Sequence, residues 1–171
     1  RFKIVINCAA MVDINYCEKK FKEVSIVNCK LVKFLSDMSK KFSFKFVQIS
    51  TDHVYKGKKS KLNHEKSEIF AVNKYAKTKI LAEKYLKKLK NFLIIRTNFT
   101  GKKKNSFIDW LIKSIENKKN INLFHDMYTS TIDVNSCAEI IIDLASLKSK
   151  GIYNLGSRNM TSKKNFAINV S

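Results

Sequence analysis

Residues Phe44 to Asp52 read Phe-Lys-Phe-Val-Gln-Ile-Ser-Thr-Asp, an aromatic and β-branched run that turns abruptly small and polar. Phe44 to Ile49 predicts a strand, and the polar stretch Ser50 to Ser67, which contains Gly57, predicts a loop leaving its carboxyl end. Two further runs match it. Lys3 to Asn7 (KIVIN) suits a strand buried on both faces of a parallel sheet, and Phe92 to Arg96 (FLIIR) leads into Thr97 and Asn98. Stretches of helical period lie between them. Val24, Val27, Leu31, Phe34, Leu35 and Met38 recur at helical spacing, Asn73 to Leu89 carries Tyr75, Ile80, Leu81, Tyr85 and Leu86, and Ser106 to Asn117 carries Phe107, Trp110, Leu111 and Ile115. Ile121 to Phe124, Asn135 to Leu147, Gly151 to Leu155 and Ser162 onward continue the alternation. Strands alternating with helices imply βαβ units with right-handed crossovers and a parallel sheet, so the fold class is α/β. Ligands of such sheets gather outside the carboxyl ends of the strands. Here those ends are Asn7-Cys8-Ala9-Ala10, Ser50-Thr51-Asp52 and Arg96-Thr97-Asn98.

The sequence has 171 residues, of which 44% are hydrophobic and 11% aromatic, enough for one core and against disorder. It shows no internal repeat and no interdomain linker. Four Gly and no Pro, where an average chain of this length carries about 12 and about 9, exclude collagen, Pro-rich linkers and Gly-rich flexible segments. Apolar runs such as Ile140 to Ile142 fall far short of the roughly 18 to 20 residues of a membrane helix, so no membrane span is expected. The sequence starts at Arg1 and stops inside a helical pattern, which suggests a piece of a longer protein.

The charge is +20, from 34 Lys and Arg against 14 Asp and Glu. Such a balance raises nucleic acid as a partner. Only Arg1, Arg96 and Arg158 are arginine, however, whereas phosphate and base readers favour the bidentate guanidinium. The lysines are spread over helix faces and read as solvated surface, so no nucleic-acid partner is expected. Cys8, Cys17, Cys29 and Cys137 form no paired spacing, and His53, His64 and His125 are scattered. Neither a metal site nor a disulfide framework is expected, and reduced thiols fit a cytoplasmic protein.

Tyr75 and Lys79 stand four apart near the start of a helical pattern and share one face. A free Tyr has a pKa near 10, and a cation within about 4 to 6 Å favours its charged form. Such a tyrosine can exchange a proton with a substrate oxygen. A Lys-rich helix also places a Lys four after a Tyr by chance, so a purely structural reading stands beside the functional one. Thr51, at the preceding strand end, offers a hydroxyl for a carbonyl oxygen.

With Thr51, Tyr75 and Lys79 in this order, the sequence resembles the extended short-chain dehydrogenase/reductase superfamily, and within it the dTDP-4-dehydrorhamnose reductase (RmlD-like substrate-binding) family. The stretches that carry the resemblance are Val5 to Ala10 with Asp13, Cys17 and Glu18, then Val27-Asn28, Ile49 to Tyr55, Asn73 to Lys79 and Ile95 to Thr97. Fainter matches are Asn105-Ser106-Phe107, Asp126 to Thr131 and Gly151 to Leu155. The resemblance implies a Rossmann-like, doubly wound parallel sheet, incomplete at both ends. Residues 1–171 would form a single partial NAD(P)-binding domain, with the substrate-binding region starting at about 98. It implies reduction of a nucleotide-linked 4-keto sugar by NADPH or NADH. Tyr75 would protonate the carbonyl oxygen, Thr51 would hydrogen-bond it, and Lys79 would lower the tyrosine pKa and hold the nicotinamide ribose. Cys8, Ala9, Ala10 and Asn28 would border the cofactor, and His53, Asn98 and Asn105 the sugar nucleotide. A homodimer fits the resemblance as well.

The sequence also departs from the family. No glycine-rich dinucleotide loop occurs in it, so the adenosine and pyrophosphate site would precede Arg1 and the 171 residues alone would bind dinucleotide poorly. His53 stands where Tyr is usual, and Pro is missing before Tyr75 and near Ser130. Asp13 and Asp52 read equally well as helix-cap or turn residues. Two alternatives stay open: a sugar-nucleotide epimerase or dehydratase of the same superfamily, and a regulatory subunit that binds cofactor without turnover. The dehydratase version carries Asp-Glu after the Thr, where this chain has Asp52-His53.

Overall fold

The computed structural model describes residues 2–57, 62–101 and 106–169. In chain order the elements are β1 (Ile4–Asn7), α1 (Ile14–Lys19), α2 (Phe21–Ser25), a π-helical turn (Ile26–Lys30), α3 (Leu31–Phe42), β2 (Lys45–Thr51), a 3-10 turn (Asp52–Val54), α4 (Lys74–Leu86) and β3 (Phe92–Thr97). There follow β4 (Phe99–Thr100), α5 (Phe107–Glu116), β5 (Tyr128–Thr129), β6 (Ile132–Asp133), α6 (Val134–Ser146), β7 (Gly151–Leu155), β8 (Thr161–Ser162) and α7 (Lys163–Ile168).

The chain divides into two compact units, Arg1–Arg96 with Ile141–Asn154, and Thr97–Ile140 with Leu155–Ser171. The first is a Rossmann-like α/β body around the parallel sheet β1-β2-β3-β7. β1 runs parallel to β2, with Ile4 opposite Lys45 and Asn7 opposite Gln48. The core packs Val32 of α3, Phe44, Phe46, Ala82 and Leu86 of α4, Leu89 and Ile94 of β3. Lys45, Gln48, Ser50 and Thr51 of β2 are buried with the apolar residues. Burying them without partners would cost their hydration, and among the described residues no buried side-chain nitrogen or oxygen lacks a hydrogen bond. Gln48 accepts from Asn7 Nδ2 at 2.8 Å, and Lys45 Nζ donates to the carbonyls of Leu144, Ala145 and Leu147 at 3.0, 2.8 and 2.8 Å. These last carbonyls of α6 and the residue beyond it have no helical donor, and the lysine caps them.

Helix starts follow the expected polar residues. Asp13 caps α1 through the Tyr16 N–H, and Asn73 caps α4 through the Ala76 N–H, both at 2.7 Å. Ser106 and Ser162 do the same for α5 and α7. Asp13 is therefore the cap residue that one of its two readings proposed.

Three expectations differ from the structure. β1 is only partly buried: among the described residues it lies at one end of the sheet order, with β2 as its strand neighbour. The apolar stripe of Val24 to Met38 is broken by the π-helical turn, which shifts the later residues around the helix and leaves Phe34 57% exposed. Ile121 to Phe124 forms no strand.

The second unit pairs β4 with β6 in parallel and β5 with β8 antiparallel. Gly156 lies so close to β5 that a Cβ there would stand 2.5 Å from the Ser130 carbonyl oxygen, which explains a glycine in a chain with so few. Among the described residues no helix is long and apolar enough to cross a membrane.

Candidate active site

β2 runs out at Thr51, whose Oγ1 caps the 3-10 turn by accepting the His53 N–H at 3.2 Å. α4 passes this strand end. Glu18 fixes its start, its carboxylate accepting the Lys74 N–H at 2.7 Å. Residues four apart on a helix share a face, so Tyr75, Lys79 and Glu83 form one line. That line is buried, with exposures of 9%, 4% and 0%. Each member engages the end of β2. Tyr75 lies beside the Thr51 side chain, Lys79 Nζ donates to the Ile49 carbonyl at 2.9 Å, and Glu83 Oε1 accepts from Ser50 Oγ at 2.7 Å. The buried face of α4 thus carries Thr78, Lys79 and Glu83 beside Ala76, Ala82 and Leu86, which is why its apolar periodicity is faint.

Burial decides the electrostatics. Tyr75 is pushed up to about 12 by desolvation, against the Thr51 hydrogen bond, with the charges of Asp52 and Cys17 adding to the rise. Lys79 is pushed down to about 8, again by desolvation, partly offset by Glu83 and then by Cys29 and Cys8. The expectation that Lys79 draws the tyrosine toward neutrality is not what this geometry does. The ammonium lies 6.0 Å from the Tyr75 ring centroid and is occupied by the Ile49 carbonyl, so loss of water outweighs attraction. Tyr75 keeps its proton through the neutral range, and Lys79 is the group that titrates near it.

The strand-end segment after β1 is held from below. Asn7 Oδ1 accepts the Ala9 N–H at 3.2 Å, and the buried Asn28 grips Met11, its Oδ1 accepting the N–H at 2.9 Å and its Nδ2 donating to the carbonyl at 3.0 Å. Asn28 Nδ2 also donates to Thr78 Oγ1 at 3.0 Å, which ties this segment to the turn of α4 that carries Lys79. Cys8 and Ala9 stay exposed above it. The π-helical turn supplies Asn28 and Cys29 together, with Cys29 Sγ donating to the Thr78 carbonyl at 3.3 Å. Asn28 therefore shapes the segment expected to border a cofactor, with its own amide fully engaged.

His53 stands edge-on to Tyr75, ring centroids 6.0 Å apart at 85°, and its Nε2 is 4.0 Å from Asp52 Oδ1. The first unit thus brings together Thr51, His53, Tyr75 and Lys79. Asn98 belongs to the second unit, where with Thr100, Ser106, Phe107, Thr129 and Thr131 it lines a cavity of about 300 Å³. Asn105 lies outside the described residues.

Sequence reasoning gave no role to five side chains next to these. Arg96 clasps Glu83 in a bidentate pair, Nε at 3.0 Å and Nη2 at 2.6 Å, and its Nη1 donates to Tyr55 Oη at 2.7 Å. Tyr55 Oη donates in turn to Asn154 Oδ1 at 2.7 Å, and the Asn154 N–H donates to Glu65 at 2.8 Å. The one available signal was spacing, since Glu83 follows Lys79 by the interval that separates Lys79 from Tyr75.

The chain is similar to known proteins in sequence and fold. The chain is 28% identical over 169 residues to the spore coat polysaccharide biosynthesis protein SpsK of Bacillus subtilis (strain 168), covering 98% of this chain and 59% of that protein. The crystal structure of a dTDP-4-dehydrorhamnose reductase from Clostridium acetobutylicum ATCC 824 superposes with a TM-score of 0.93 at 25% identity, over 98% of this chain and 60% of that one. The dTDP-4-dehydrorhamnose reductase of Bacillus anthracis str. Ames, in complex with NADP, gives a TM-score of 0.92 at 25% identity with the same coverage, 98% and 60%. The chain therefore spans about 60% of the length of these relatives. The family model of the RmlD substrate binding domain matches residues 1–171, and the chain belongs to that family.

Proposed function

We propose that the protein reduces the keto group of a nucleotide-linked sugar with NADPH or NADH, as a dTDP-4-dehydrorhamnose reductase does. The observation that carries this reading is the alignment of Tyr75 and Lys79 of α4 on the end of β2, with Thr51 beside the tyrosine. Bound dinucleotide supplies the hydride. The residues present suit its nicotinamide-ribose end: Lys79 offers an ammonium, and Cys8-Ala9-Ala10 offers a strand end with small side chains. They do not suit its pyrophosphate, because Gly57, Gly101, Gly151 and Gly156 form no glycine-rich loop.

In this reading Thr51 holds the keto oxygen against Tyr75. Tyr75 gives its phenolic proton to that oxygen as the carbon accepts hydride, so the carbonyl becomes an alcohol and the tyrosine a phenolate that recovers its proton from water. The protonated phenol at neutral pH suits a donor. Lys79 stabilises the transient phenolate by its charge. His53, against the Tyr75 ring, faces the sugar. We assign residues from about 98 onward to substrate binding, Asn105 among them, and the first unit to the cofactor and the chemistry. We place the reaction in the cytoplasm, where nucleotide sugars and reduced nicotinamide dinucleotides are made.

The test is hydride transfer from NADPH deuterated at the transferring position to a dTDP-linked 4-keto sugar. Deuterium at carbon 4 of the product supports the reading. Cofactor oxidation without label in the sugar, or no oxidation with any keto sugar, counts against it.

A further inference from the structure

The last three residues of β2 and three residues of α4 at four-residue intervals make a ladder. Thr51 lies beside Tyr75, the Ile49 carbonyl takes Lys79 at 2.9 Å, and Ser50 takes Glu83 at 2.7 Å. The first two rungs belong to the proposed reaction. The third is its innermost: Glu83 and Arg96 are both sealed from solvent, and the guanidinium grips the carboxylate with two hydrogen bonds. A buried carboxylate beside a buried guanidinium adds little stability over an apolar pair of similar volume, so its presence calls for another reason.

We infer that Glu83 is a positioning residue that sets the register of α4 on β2 and supplies the negative charge that keeps Lys79 an ammonium. This rests on the reductase reading for its catalytic consequence but not for its electrostatics. Ser50 precedes Thr51, so a carboxylate that pins Ser50 also pins the hydroxyl one residue on. Lys79 stands one helical turn before Glu83. The other groups that face its ammonium are Tyr75 on α4, Cys29 on the π-helical turn and Cys8 after β1. None of these is an anion while its own proton is held, which leaves Glu83 as the carboxylate acting on it. Arg96, on β3, holds Glu83 from the far side and passes the same bond network to Tyr55. Exposed Lys87 approaches Glu83 only to 4.0 Å.

The experiment follows the Lys79 amine directly, by NMR titration of the protein labelled with isotopic lysine, the signal being assigned by its loss in Lys79→Arg. Three variants are compared with the unaltered protein: Glu83→Gln, the double variant Glu83→Gln/Arg96→Gln, which leaves no unpaired guanidinium behind, and Arg96→Lys, which keeps a cation beside the carboxylate. The inference predicts that the Lys79 midpoint falls by roughly half a pH unit or more in both Gln variants and stays in place in Arg96→Lys. It also predicts a fall in kcat of about tenfold with KM within about threefold, since the groups displaced act on the reacting atoms. Ser50→Ala keeps the ion pair intact and is small enough to fold in any event; it should lower kcat several-fold with KM unchanged.

An unmoved Lys79 midpoint in a folded Gln variant overturns the electrostatic role. A wild-type kcat in Ser50→Ala overturns the register role. If the midpoint moves as predicted while the unaltered protein reduces no keto sugar, the reductase reading has failed and the coupling of Glu83 to Lys79 stands.

Discussion

The Nζ of Lys79 donates to the carbonyl oxygen of Ile49 at 2.9 Å, and this bond fastens the centre of α4 to the strand end where Thr51 waits. It also fixes what the lysine does with pH. The buried ammonium is pushed down to about 8, so its charge is lost as pH rises through that value. Tyr75, pushed up to about 12, is still protonated there. Reduction should therefore be flat below about 8 and decline above it, the decline belonging to Lys79. In Lys79→Arg, whose guanidinium stays charged beyond about 12, the decline near 8 should vanish from the pH profile of kcat, whatever the absolute rate. A decline that persists near 8 in that variant contradicts the assignment.

Tyr75 has a stability signature of opposite sense. Its native pKa of about 12 exceeds the ordinary 10.0, so the folded chain holds this proton more tightly than the unfolded one. The resulting contribution is complete below 10.0 and is lost as pH rises toward 12. Denaturant midpoints of Tyr75→Phe should fall less steeply over that window than those of the unaltered protein. Equal slopes would mean that the phenol is not buried as described.

Asn28 engages its side-chain oxygen and both amide protons on Met11 and Thr78. Replacing it by Ala leaves the half-buried Met11 N–H without that acceptor and its carbonyl to the Cys17 thiol, which costs about 1 to 3 kcal/mol. Because the grip on Met11 also shapes Cys8-Ala9-Ala10, Asn28→Ala should raise the KM for the nicotinamide cofactor more than that for the sugar. Urea unfolding and the two KM values together check this. A loss of stability with both KM values untouched would confine Asn28 to the scaffold.

Lys45 is the clearest buried cation outside the site. Its ammonium caps three carbonyls at the end of α6, and burial pushes its pKa down. Lys45→Met keeps the aliphatic stem and removes the cap. The expected loss is about 1.5 to 3 kcal/mol in denaturant unfolding, with kcat unaffected. A neutral substitution would show that water caps α6 as well as the lysine does.

The ring contact between His53 and Tyr75 carries a smaller effect. Edge-to-face pairs contribute about 0.5 to 1.5 kcal/mol beyond their buried area, so His53→Ala should weaken sugar-nucleotide binding or turnover by about two- to tenfold. The position faces the sugar in the proposed reading, so the change should fall on its KM. A change confined to the cofactor KM would place His53 elsewhere.

Much of this was legible in the sequence, for identifiable reasons. β2 and β3 are short apolar runs ending in small polar residues, and the helices beginning at Lys74, Phe107 and Lys163 each follow an Asn or Ser that caps them. Tyr75, Lys79 and Thr51 were visible because four-residue spacing and strand ends have direct geometric meaning. Glu83 and Arg96 were not, because one charged pair among 34 cations and 14 anions looks like solvated surface until burial is known. The π-helical turn left no trace either: it alters hydrogen bonding without altering composition, and it broke the stripe that included Phe34. The sign of the tyrosine shift was hidden for the same reason, since it depends on how completely Tyr75 and Lys79 lose water.

In the proposed reaction the Tyr75 hydroxyl delivers a proton to the keto oxygen of a sugar nucleotide. Tyr75→Phe removes that hydroxyl and keeps the ring that packs with Cys17 and Val24. In this variant kcat for NADPH oxidation with a dTDP-linked 4-keto sugar should fall by roughly 100- to 10,000-fold, with NADPH affinity close to that of the unaltered protein. Turnover within a few-fold of the unaltered protein would contradict it.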